Sequence, residues 1–150
     1  MHQDSIDRAH GIEIAYIRSH KLGPNIQCMW WYKKGDNRNG RKILPGKPKT
    51  KNRGYLFAMR ELLKAFRKRM EQVAYDDQTF VLIVKTDATY IEEGVNVYRY
   101  RWRRTGWTNK RQKKIANSIF WRSVNHELEL LNEMGIEIKV ERHQLPFRFK

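Results

Sequence analysis

Arg99 to Lys114 reads RYRWRRTGWTNKRQKK, with eight basic residues, no acid, and Tyr100, Trp102 and Trp107 interleaved among them. Guanidinium and ammonium groups contact phosphates, and aromatic rings pack on sugars or bases, so this spacing suits nucleic-acid binding. The whole chain points the same way. It holds 31 Lys+Arg against 16 Asp+Glu in 150 residues, a formal net charge of +15. Such an excess calls for a polyanionic partner, nucleic acid first and an anionic membrane second. A membrane-surface helix needs a continuous apolar face, which Gly106 interrupts. The bland alternative is a solubilising surface, which clustering of the charge disfavours.

A single domain over residues 1–150 must present these groups, with residues 1–10 as an N-terminal tail. At 40% hydrophobic residues, the chain can build a core. Its longest apolar run, Phe80 to Val84, is too short to span a bilayer, and Asp4 and Asp7 argue against a leader peptide. Cys28 is the only cysteine, which excludes a disulfide within the chain and a cysteine-based zinc site. An intracellular location, cytoplasmic or nuclear, is expected, with no cofactor and no membrane partner.

The positioning elements follow from periodicity. Gly11 to Ile17, Asn25 to Tyr32 and Arg41 to Leu44 read as three antiparallel strands, the last two joined by a turn over Gly35 to Gly40. Arg53 to Gln72 reads as a helix with a core stripe of Leu56, Met59, Leu63, Phe66 and Met70. Arg60, Lys64, Arg67 and Lys68 make another of its faces basic. Phe80 to Val84 is a central strand covered on both faces, followed by Thr86-Asp87 and a short helix over Ala88 to Glu93 that stops at Gly94. Asn117-Ser118 caps a helix to Met134 with Gly135 behind it, and Ile136 to Val140 is a last strand. The expected fold class is α/β, a mixed five-stranded sheet with helices on both faces.

Several strings, taken in order, resemble type-1 ribonuclease H, the family that cuts RNA in RNA–DNA hybrids. Leu44-Pro45-Gly46, Thr50 and Asn52-Arg53 are similar to the family's LPG…TNNRAE. Thr86-Asp87 is similar to TDS, WRRTGW over Trp102 to Trp107 to WKKxGW, and Val140 to His143 (VERH) to VKGH. Tyr90-Ile91, Gly94-Val95, Asn117 and Phe120-Trp121 also fall in family order. The resemblance implies a ribonuclease H-like fold over most of the chain. It also implies phosphodiester hydrolysis by two Mg²⁺ ions held on four carboxylates.

That carboxylate set is where this chain departs. Arg18 stands for the first Asp, in a string similar to YTDGS, and Tyr55 stands for the Glu of NRAE. Asp87 is kept. After His143 the chain reads QLPFRFK, with no acid. Glu13, Glu61, Glu92 and Glu93 are poorly placed to substitute. Read this way the chain is no enzyme but a pseudoenzyme that cleaves no hybrid, with Arg18, Tyr55, Asp87 and His143 as vestiges, no metal, and Arg18 paired to Asp87 directly or through one water.

The resemblance also implies nucleic-acid contacts from Thr50 and Asn52, with Lys51 in place of an Asn, although Thr50 and Asn52 are also good helix caps. To these the basic segment adds Arg99, Arg101, Trp102, Arg103, Arg104, Trp107, Lys110, Arg111, Lys113 and Lys114. The expected partner is RNA, RNA–DNA hybrid or duplex nucleic acid. One rival is a protein-interaction or effector module, favoured if Trp30-Trp31-Tyr32 is exposed. The other is an active nuclease with relocated carboxylates.

Overall fold

A computed structural model of the chain describes residues 11–72 and 80–144. Three antiparallel strands come first: β1 (Ile12–Leu22), β2 (Asn25–Trp31) and β3 (Gly40–Ile43). Helix α1 (Lys51–Met70) then crosses to β4 (Phe80–Thr86), which pairs parallel to β1. A helical stretch follows, formed by α2 (Thr89–Glu93), a π-helical turn (Gly94–Tyr98) and α3 (Arg99–Arg104). Helix α4 (Ser118–Glu133) leads into β5 (Ile136–Arg142), parallel to β4. The five strands form one mixed sheet in the order β3-β2-β1-β4-β5.

The period-2 alternation of the strands selects the buried face. Ala15, Ile17 and Ser19 of β1, Leu82, Val84 and Thr86 of β4, and Ile26 and Cys28 of β2 are all buried. They meet the stripe expected on α1, of which Leu56, Met59, Leu63, Phe66 and Met70 are all buried. In β1 the set Ile12, Ile14 and Tyr16 lies on the opposite, less buried face. In β4, Val81 and Ile83 are only half-buried, so the expected equal cover of both its faces is not found.

Two glycines mark the closest approaches. A Cβ on Gly54 would collide with Ser19 and Ile26, and one on Gly94 would collide with the Trp121 ring. Glycine inside a helix costs about 1 kcal/mol relative to alanine, and here it lets α1 and the π-turn pack without a gap. Gly94 was expected to stop the short helix. It does not: the chain stays helical to Arg104, because what the position requires is the absence of a side chain against Trp121.

Other bounds shift modestly. Strand β1 runs five residues past Ile17, α1 starts at Lys51, and β5 continues through Glu141 and Arg142. Trp30, Trp31 and Tyr32 are 8%, 4% and 7% exposed, so the aromatic run is core rather than a surface for a partner. The tail expected over residues 1–10 lies outside the described residues. Among those described, no helix is long and apolar enough to cross a membrane.

Candidate nucleic-acid interface

Pairing between β1 and β4 extends to Tyr16 and Lys85. Beyond that pair the strands part, and Arg18 and Asp87 stand at the opening. Tyr55, on the second turn of α1, reaches the same place from the helix layer. Its hydroxyl donates to Asp87 Oδ1 at 2.5 Å, and the backbone N–H of Ser19 lies against the phenol oxygen. Burial pushes the Tyr55 pKa well above the usual phenol value, and the Asp87 carboxylate adds to the rise. The phenol therefore stays protonated and acts as a donor. Of the pairing expected between Arg18 and Asp87, the direct form is not made: no carboxylate among the described residues lies within 4.0 Å of the Arg18 guanidinium. Alternation along β1 explains this. Ser19 faces α1, so Arg18 faces away, and the group that arrives from the helix side is Tyr55.

His143 closes the third side. Its N–H donates to Thr86 O at 2.7 Å, and its ring lies 6.3 Å from that of Tyr16. Two of the four acids considered as replacements, Glu13 and Glu61, are engaged elsewhere. Glu13 accepts from Arg38 at 2.6 Å, and Glu61 accepts from Lys42 at 3.1 Å. Among the described residues no three of His, Cys, Asp and Glu cluster closely enough to hold a metal ion. A two-ion cage needs several convergent carboxylate oxygens. With a cation at one of its positions and a phenol bonded to the remaining aspartate, the residues described do not fit one.

The Tyr55–Asp87 bond gives a pH prediction. Because the folded-state pKa of Tyr55 is raised above the unfolded value near 10, its contribution is fully present below pH 10 and is lost as pH rises beyond it. Tyr55→Phe should cost about 1 kcal/mol at neutral pH, since one bond to a partly solvated carboxylate is removed. Urea denaturation at pH 7 and pH 11 should show that this cost shrinks at the higher pH. An equal cost at both would contradict the assignment.

At the start of α1, Thr50 is the N-cap. Its Oγ1 accepts from the Arg53 N–H at 3.2 Å, which is the capping alternative for this residue. Lys51 and Asn52 occupy the exposed first turn. Arg53 is turned back, donating to Pro45 O at 2.7 Å and lying over the Phe120 ring.

The basic segment divides into residues with partners in the protein and residues without an ion pair among the described residues. Arg99 is half-buried and donates to Val95 O, Asn125 Oδ1 and Tyr100 Oη at 2.8–3.0 Å, and burial holds its pKa below the usual arginine value. Arg103 donates to Glu129 at 3.1 Å. Hydrogen bonds from Asn125 and then Arg103 hold the Glu129 carboxyl below its ordinary value. Trp102 stacks on Tyr98 and meets Trp107 and Trp121, with centroids 5.3–6.4 Å apart. Its ring is thus committed to the protein, and Tyr100, at 42% exposure, is the open aromatic. Arg101, Arg104, Lys110, Arg111, Lys113 and Lys114 are exposed and make no ion pair among the described residues. Asn109 shapes their loop, its side chain accepting from the N–H groups of Arg111 and Lys113 at 2.9 and 3.0 Å.

Helix α4 adds two residues that the sequence reading missed. Arg122 and His126 are exposed four residues apart and line a groove beside Trp107 and Ile119. Their i,i+4 spacing was the available signal.

The fold is shared with known proteins. No protein-family model matches the chain. It is 24% identical over 100 residues to Ribonuclease H of Pseudomonas entomophila, an alignment covering 67% of this chain and 53% of that protein. With Ribonuclease H of Legionella pneumophila (strain Lens) it is 28% identical over 97 residues, covering 63% and 61%. The matched part thus spans little more than half the length of these relatives. Among solved structures, RNase H1 of Halobacterium salinarum superposes with a TM-score of 0.54 at 16% identity, covering 89% of this chain and 86% of that one. A foamy viral protease-reverse transcriptase in complex with RNA/DNA hybrid gives 0.57 at 13% identity, covering 91% of this chain and 18% of that one. The chain has the ribonuclease H-like fold, and its sequence is similar to proteins named Ribonuclease H. These relatives also correct the expectation that the chain is no enzyme: they carry the name of an enzyme. The replaced carboxylates describe which residues are present and do not establish a loss of turnover.

Proposed function

We propose that the chain binds duplex nucleic acid, with RNA–DNA hybrid the foremost ligand, through phosphate contacts. The observation that carries this reading is the set of six exposed cations with no ion pair among the described residues, Arg101, Arg104, Lys110, Arg111, Lys113 and Lys114, on a segment held by the aromatic cluster beneath it. Lys51 and Asn52 extend the surface to the start of α1. The reading is supported by neighbours of the same fold solved with RNA/DNA hybrid and with dsDNA. Phosphate contacts position a duplex without reading its sequence, so discrimination among duplex sequences is small.

The test titrates hybrid, double-stranded RNA, double-stranded DNA and single strands at two salt concentrations, with Mg²⁺ present so that hydrolysis is read in the same tubes. Hybrid and duplex should bind, with affinity falling steeply as salt rises. Absence of binding at low salt, or affinity indifferent to salt, would reject the reading.

A further inference from the structure

Seven arginines are half-buried among the described residues, and six of them meet an acceptor within the protein. Arg38 donates to Asp36 and Glu13, Arg53 to the Pro45 carbonyl, and Arg67 to Glu127. Arg69 donates to the Tyr32 hydroxyl and Arg99 to Asn125, while Arg60 lies 3.6 Å from Glu61. The seventh is Arg18, which has no hydrogen-bond acceptor and no ion-pair partner among the described residues. A guanidinium presents five donors in a fixed planar fork that matches two oxygens of a phosphodiester. Half-burial restricts its hydration, so an anion that meets the fork here is held more strongly than at a fully exposed arginine.

The surroundings fit an anion and not a cation. The single aspartate retained at the opening, Asp87, has an oxygen bonded to the Tyr55 hydroxyl, which moderates its field. Across the ends of β1, β4 and β5 the cations Arg18, Lys85 and Arg142 outnumber the carboxylates Asp87 and Glu141. The Arg18 charge would repel a divalent ion placed here, whereas it would attract a phosphate.

We propose that the opening between β1 and β4 is a phosphodiester-binding site in which Arg18 supplies the charge that a divalent ion would otherwise supply. This rests on the nucleic-acid reading above and adds its central contact: a duplex lying along the basic segment and the start of α1 sets one backbone phosphate on Arg18. Tyr55 holds Asp87 aside from that phosphate.

The test compares wild type, Arg18→Gln and Arg18→Lys, with Arg101→Ala/Arg104→Ala alongside, by fluorescence anisotropy on a labelled RNA–DNA hybrid and a DNA duplex. Titrations run in EDTA over a series of salt concentrations and are repeated with millimolar Mg²⁺. Arg18→Gln should weaken binding about tenfold and lower the salt slope by about one, with Arg18→Lys intermediate. Melting temperatures of both Arg18 variants should match the wild type, because the guanidinium has no acceptor among the described residues to lose. Wild-type binding should be as tight in EDTA as in Mg²⁺. Unchanged affinity and slope in Arg18→Gln, while Arg101→Ala/Arg104→Ala weakens binding, would overturn this site and leave the broader reading standing. So would a fall in melting temperature with affinity unchanged, or an affinity gained only on adding Mg²⁺. A wild type that binds neither duplex would overturn both.

Discussion

Alanine at Arg101, Arg104, Lys113 and Lys114 together is expected to lower affinity for duplex nucleic acid on the order of a thousandfold near physiological salt. The estimate comes from counterion release. Each phosphate neutralised contributes about 0.9 to the slope of log affinity against log salt, which near 0.15 M is roughly 0.7 decade per contact. Four contacts give about three decades, with the slope falling by about 3.6. All four side chains are exposed and have no ion pair among the described residues, so their loss should leave the fold intact. Arg103→Ala supplies the internal contrast. Its guanidinium is shared with Glu129, so it should cost less affinity than Arg104→Ala, its neighbour on the same short helix. Anisotropy titrations at three salt concentrations give both quantities. Equal affinity for the fourfold variant and wild type would mean that the basic segment serves something other than nucleic acid.

Trp121→Ala should be the most damaging single substitution away from the basic surface, costing about 4 kcal/mol of folding stability. The side chain is fully buried, its Nε1 donates to the Tyr90 hydroxyl at 2.8 Å, and its ring fills the space left by Gly94. Removing the indole leaves a cavity and takes from that hydroxyl the shorter of its two hydrogen bonds, the other coming from Asn117 Nδ2 at 3.2 Å. It also removes the base on which Trp102 rests. The basic segment would then lose its fixed position, and affinity for duplex should fall even at temperatures where the variant remains folded. Urea denaturation with an unchanged m-value measures the first effect, and titration well below the melting temperature measures the second. A loss under 1 kcal/mol would show that the cluster repacks around the gap.

The element order was legible in the sequence because it depends on short-range periodicity. The stripe Leu56, Met59, Leu63, Phe66 and Met70 shows helical spacing and packs as that spacing requires. Gly135 follows α4 with φ 79°, the left-handed conformation that ends a helix. The clustering of eight cations over Arg99 to Lys114 and the arginine and tyrosine replacing two carboxylates were likewise visible residue by residue. What the sequence could not assign was direction and partner. Arg99 and Arg103 read as phosphate contacts like their neighbours, yet Arg99 is half-buried against Asn125 and the exposed Arg103 is shared with Glu129, each partner 26 residues further along the chain. Asp87 takes a hydroxyl 32 residues away on α1, because alternation in β1 turns Arg18 to the other face. Trp30, Trp31 and Tyr32 are consecutive, which in an isolated strand would expose one face, but all three are buried. Local pattern sets which backbone conformation a segment adopts. Only the packing of one element against another decides which side chains meet and which are left facing water.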